Sequence, residues 1–110
     1  MSAELQQAVA RSADAADLHA TVPTLLLELQ TLLGSLTAIV TASTERGRRP
    51  FRPSQDLPAR LGELAYGVYL LADQTGVELD KAVLATAAHL QHRGQQAQAA
   101  GSNEWPFEAH

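Results

Sequence analysis

Apolar residues recur along this chain in steps of three and four, the repeat of an α-helix, and nowhere alternate as in a strand. Leu5, Val9, Ala13 and Ala16 set a weak amphipathic helix within residues 1–20, with Ser2 able to cap it. Thr21 and Pro23 then mark the start of a helix over residues 24–44, because proline suits a first turn and threonine a cap. Leu25, Leu29, Leu32, Leu36 and Ile39 form one apolar row, and Leu26, Leu33 and Val40 a second beside it. Two rows predict burial on more than one side, by other helices or by a second subunit. Such a helix is about 30 Å long.

Residues 45–55 break the pattern with glycine and prolines and predict a loop. A third helix follows over 56–75, with Asp56 as cap, Pro58 in the first turn, and a stripe of Leu57, Leu61, Leu64, Ala65, Val68, Leu71 and Ala72. Gly76 ends it, as a left-handed residue commonly does. A fourth helix over 78–93 carries Leu79, Ala82, Val83, Ala87 and Leu90, then dissolves into a polar run. The pattern therefore predicts an all-α fold of four helices in a single domain, residues 1–100, with a tail at 101–110. The connection between the two long helices implies that they pack antiparallel.

Composition narrows the picture. The 110 residues are 45% hydrophobic but 5% aromatic, so leucine, alanine and valine must build the core. A net charge of -4 gives no broadly basic surface, and no nucleic-acid partner is expected. Cysteine is absent, which excludes disulfides and thiolate metal sites. No uninterrupted apolar run reaches the roughly 18 residues of a membrane span, and no signal peptide is evident, so a cytoplasmic protein with no membrane partner is expected.

One stretch carries a resemblance. Glu63-Leu64-Ala65-Tyr66-Gly67-Val68-Tyr69-Leu70 and Leu71-Ala72-Asp73-Gln74-Thr75-Gly76-Val77-Glu78-Leu79-Asp80-Lys81-Ala82-Val83 resemble two runs of the MazG-like, all-α nucleotide pyrophosphohydrolases, E-L-A-D-V-L-x-Y-L and L-A-D-x-x-G-I-D-L-x-x-A-V. Upstream, Leu32-Leu33-Gly34-Ser35-Leu36 is similar to E-x-G-E-L in the family's first acidic box. The resemblance implies a four-helix domain that dimerises through its long helices. It also implies carboxylates from a Glu-Glu-x-x-Glu box and a Glu-x-x-Asp box that hold Mg²⁺ against a nucleoside triphosphate.

The acids depart from that pattern. The first box reads Thr31-Leu32-Leu33-Gly34-Ser35, and in the second only Glu63 remains, with Tyr66 where the family has aspartate. On the last helix Thr86 and Leu90 stand where the family often has lysine and asparagine, and Arg93 alone looks like a match. One glutamate cannot neutralise two Mg²⁺ ions. Glu28 lies one turn before Thr31, so Glu28, Thr31 and Ser35 are expected to face Glu63 and Tyr66 across the helix pair. If catalysis survives, Glu63 and Glu28 are the metal ligands for Mg²⁺; otherwise no cofactor is expected.

Arg46, Arg48, Arg49 and Arg52, half of the basic residues, crowd the loop and are, with Arg93, the candidates for phosphate contact. His89 and His92 share a helix face but lack a third ligand. His19 and His110 show no partner by spacing. Trp105-Pro106-Phe107 resembles the Tyr-Pro or Trp-Pro after the family's last helix and reads as an aromatic latch.

Three functions fit these residues. The first is a divergent MazG-like module that binds a nucleotide or phosphate ligand, or regulates, with lost or weak Mg²⁺-dependent hydrolysis. The second is an active nucleotide pyrophosphohydrolase with a rebuilt metal site. The third is a helical adaptor that binds a protein. A homodimer or higher homo-oligomer is expected, and a nucleotide is the implied ligand of the first two.

Overall fold

A computed structural model describes residues 2–99, with side chains from Glu4 to Gln98. It is all-helical over the described residues: α1 (Ser2–Ala16), α2 (Val22–Ser43), α3 (Leu57–Thr75) and α4 (Leu79–Ala99). The predicted latch at Trp105-Pro106-Phe107 and His110 lie outside the described residues.

Local signals set most boundaries. Thr21 caps α2 by accepting from the Thr24 amide at 3.4 Å, with Pro23 in the first turn. Gly76 ends α3 in the left-handed region at φ 74°, and the Val77 amide closes the turn on the Ala72 carbonyl at 2.9 Å. Asp56 precedes α3 as predicted, but its side chain makes no capping hydrogen bond.

Two expectations need correction. The first helix stops at Ala16, where Asp17 turns left-handed at φ 55°, so it does not fill residues 1–20. The fourth does not end near residue 93 but runs on to Ala99. The glutamine and alanine there favour helix strongly enough to carry it past Gly94.

α2 and α3 form an antiparallel hairpin. Gln74 bonds the Ala20 backbone at one end, and Leu29 and Leu32 approach Gly67 further along. There the helices come so close that a Cβ on Gly67 would sit 2.6 Å from Leu29 Cδ2. α1 crosses α3, and the small core forms at that crossing, where Val9, Ala13, Leu25 and Leu70 are buried with Ala20, Tyr66, Tyr69 and Leu71 packed round them.

α4 joins this core at its start. Gln6 on α1 accepts from the Leu79 amide at 3.1 Å and donates to the Val77 carbonyl at 2.8 Å. Tyr69 donates to Asp80 Oδ1 at 2.6 Å. From Lys81 to His89 every residue is exposed.

By length and composition α2 is apolar enough to cross a membrane, with a mean hydropathy of 1.6 over its best window. Counting uninterrupted apolar residues does not reveal this, because threonine, serine and glycine punctuate the helix.

Candidate functional site

The hairpin and the end of α1 leave a cleft of about 600 Å³ between them, within the range of small-molecule sites. α2 contributes Leu25, Glu28, Leu29 and Leu32; α3 contributes Gly62, Glu63, Tyr66, Gly67 and Leu70; the linker contributes Asp17 to Ala20. Leucines and glycines form the floor. Asp17, Glu28 and Glu63 are exposed acids at its margin.

Two fixed groups shape this cleft. Ser12 donates its hydroxyl proton to the Val9 carbonyl at 3.1 Å, so the 2.6 Å contact with Tyr66 Oη has tyrosine as donor. The ring packs on the core and the hydroxyl is committed to α1. His19 is held harder still. Its Nε2 meets Asp14 Oδ1 at 2.5 Å and its Nδ1 meets Gln74 Oε1 at 3.1 Å. The Asp14 hydrogen bond, then that to Gln74, raises the His19 pKa above its usual value, and the charges of Asp14 and Asp73 add to this against a lowering by desolvation. His19 shows no partner by spacing in the sequence, yet it is the best-anchored ionisable group at this cleft. Its second partner, Gln74, lies 55 positions away.

The cleft gathers some of the expected residues. Glu28, Glu63 and Tyr66 line it together; Thr31 and Ser35 do not. A three-residue step turns a helix back by about 60°, which carries Thr31 out of the cleft, where its hydroxyl bonds the Leu27 carbonyl at 3.1 Å. Glu63 also has a neighbour the sequence reading passed over, Arg60 Nη1, at 3.3 Å one turn earlier.

Arg46, Arg48, Arg49 and Arg52 sit at the other end of the hairpin, past Ser43, and none lines the cleft. From Leu32 to Ser43 the axis advances about 16 Å. Arg49 Nε pairs there with Glu45 Oε2 at 3.2 Å, and Arg49 and Arg52 border a separate dent with Ser43 and Pro50. Arg93 is half-buried on α4 and also lies outside the cleft lining. His89 and His92 are exposed. Among the described residues no three histidine, aspartate or glutamate side chains gather closely enough to hold a metal ion together.

No protein-family model matches this chain, and neither does a curated protein or a solved structure.

Proposed function

We propose that the chain is a divergent MazG-like module that binds a small ligand in the cleft between α2 and α3 without efficient Mg²⁺-dependent hydrolysis. The observation that carries this reading is that Glu28 and Glu63, from two antiparallel helices, converge on one cleft whose floor is apolar. A metal-loading site needs a carboxylate cage, and here two glutamates share a cleft with leucines. The floor suits the flat, weakly polar part of a ligand such as a nucleobase. The acids at the margin leave little attraction for a bare polyphosphate, because like charges repel.

Calorimetric titration with a nucleoside and its mono- and triphosphate, with and without Mg²⁺, tests this. The expected result is heat of binding that weakens as phosphates are added, with no pyrophosphate released. No heat for any of the ligands ends the ligand-binding reading.

The same convergence favours one alternative, in which Glu28 and Glu63 hold a single divalent ion and support slow pyrophosphohydrolysis. That reading requires pyrophosphate release that stops in both Glu28→Gln and Glu63→Gln.

A further inference from the structure

Charge is spread unevenly along this acidic chain. Residues 46–52 hold four of its eight basic side chains and none of its twelve acids, so this stretch carries +4 and the rest of the chain −8. The stretch lies in the turn that joins α2 to α3. The core sits at the other end of the hairpin, where Leu25 is buried with Val9, Ala13 and Leu70. From Leu25 to Ser43 the axis of α2 advances about 27 Å. The arginines therefore stand well away from the core, and none of them lines the cleft.

The turn is built rather than loose. The amides of Arg46 and Arg49 donate to the carbonyls of Thr41 and Thr44, each at 2.9 Å. Buried Thr44 accepts from the Gly47 amide at 3.3 Å. Pro50 and Pro53 bracket Phe51 and Arg52 and fix the backbone on either side. Arg46, Arg48, Arg49 and Arg52 are exposed on this frame. Arg49 pairs with Glu45, and among the described residues the other three make no ion pair.

Apolar surface accompanies the charge. Phe51 is 43% exposed between Pro50 and Arg52. Ile39, 37% exposed, lies one turn before Ser43 and so shares its helix face. Ser43 in turn borders a dent of about 340 Å³ with Arg49, Pro50 and Arg52. Guanidinium forks suit phosphate oxygens, and an aromatic ring beside them suits the boundary between headgroups and acyl chains.

We infer that this turn docks the chain on an anionic lipid surface, with the arginines on headgroup phosphates and Phe51 in the interfacial layer. The uneven charge orients the approach, because an anionic surface attracts the turn and repels the remainder. Surface docking needs no membrane-crossing run, the criterion on which the sequence predicted no membrane partner. Crossing is disfavoured, since Arg60, Glu63 and Asp73 on α3 would have to accompany α2 into the bilayer. A single-stranded nucleic acid is the competing polyanion. It tracks an extended basic groove with several stacking rings, whereas here the charge is confined to one turn with one ring, Phe51. Aliphatic Ile39 gives a base nothing to stack on.

Sedimentation of the full chain with mixed phosphatidylglycerol–phosphatidylcholine vesicles tests this. Binding is expected at low salt, with loss in high salt and on pure phosphatidylcholine. The Arg48→Gln, Arg52→Gln double variant should partition roughly thirtyfold less, since each arginine near such a surface contributes about fivefold. Phe51→Ala should weaken partitioning severalfold with the charge unchanged. All three side chains are exposed, so circular dichroism and thermal melts should match wild type and separate lost docking from lost fold. No sedimentation with the anionic vesicles overturns the proposal. So do equal binding to phosphatidylcholine, binding unchanged by salt, and wild-type partitioning by either variant. Tighter retention of a short single-stranded RNA than of the vesicles, measured by competition, assigns the turn to nucleic acid and overturns it too.

Discussion

Gln74 and His19 are locked by a backbone neither of them owns. Gln74 Nε2 donates to the Ala20 carbonyl at 2.6 Å and its Oε1 accepts from the Ala20 amide at 3.4 Å, which fixes which way the amide faces. That oxygen then meets His19 Nδ1 at 3.1 Å, so this ring nitrogen must donate. The other nitrogen must donate as well, to Asp14. Only the imidazolium does both. The clasp joins the end of α1 to α3 beside the cleft, and it is complete only while His19 is charged.

The folded state therefore raises the His19 pKa. Its contribution to stability is full below the unfolded value, about 6.5, and declines as pH rises through the higher folded value. Thermal melts across that range should show wild type losing stability relative to His19→Gln as pH increases. A difference between the two chains that stays constant with pH would show that the charge of His19 does not matter.

Gln6 performs the matching task at the other end of α1, accepting from the Leu79 amide and donating to the Val77 carbonyl. It supplies a side-chain acceptor to the first turn of α4 from a different helix. Gln6→Ala should cost about 1 kcal/mol, the usual loss for a helix cap. Hydrogen exchange should locate the effect, with amides of the first turn of α4 exchanging faster while those of α2 hold. Uniform acceleration along the chain would mean that Gln6 supports the whole fold.

These two glutamines mark where sequence reading stops. Thr21, Pro23 and Gly76 announce themselves because capping chemistry is local, within three residues of the helix end. The antiparallel hairpin follows from apolar rows and a short connection, and it places Glu28 and Glu63 at one cleft. Gln6 and Gln74 look like surface polar residues, because their partners lie 73 and 55 positions away. Gly94 and the polar residues round it read as a stop, yet nothing in that turn needs a left-handed backbone, and α4 continues. The exposed stretch of α4 is invisible in the sequence for another reason: an apolar row reads the same whether or not anything covers it.

The turn after α2 holds three successive left-handed residues, Glu45 at φ 49°, Arg46 at 61° and Gly47 at 87°. Buried Thr44 anchors it by donating to the Val40 carbonyl at 2.8 Å and accepting from the Gly47 amide at 3.3 Å. A residue with a Cβ pays roughly 1 kcal/mol for this conformation. Arg46→Gly should therefore stabilise the chain by about that much, less some gain in unfolded-state freedom. Gly47→Ala should destabilise it although nothing stands within 4 Å of the added methyl. Urea midpoints that move in opposite directions bear this out; a stable Gly47→Ala chain would sink it.

Gly62 and Gly67 lie on one helix and line one cleft, yet they should respond oppositely to a methyl group. Both sit inside α3, where alanine is favoured over glycine by about 1 kcal/mol. At Gly62 an added Cβ meets nothing within 4 Å, so Gly62→Ala should gain most of that preference. At Gly67 the Cβ would stand 2.6 Å from Leu29 Cδ2 and 3.4 Å from its Cγ, with Leu32 Cδ1 at 4.0 Å. Leu29 must leave its rotamer or α2 must move, and overpacking of this kind costs about 1–3 kcal/mol. The helix preference is then cancelled or exceeded. Gly67→Ala should melt at or below the wild-type temperature and Gly62→Ala several degrees above it, at about 4–8 °C per kcal/mol for a domain of this size. Equal stabilisation by both substitutions would mean that α2 and α3 do not approach at Gly67, and the cleft would then lack the floor described here.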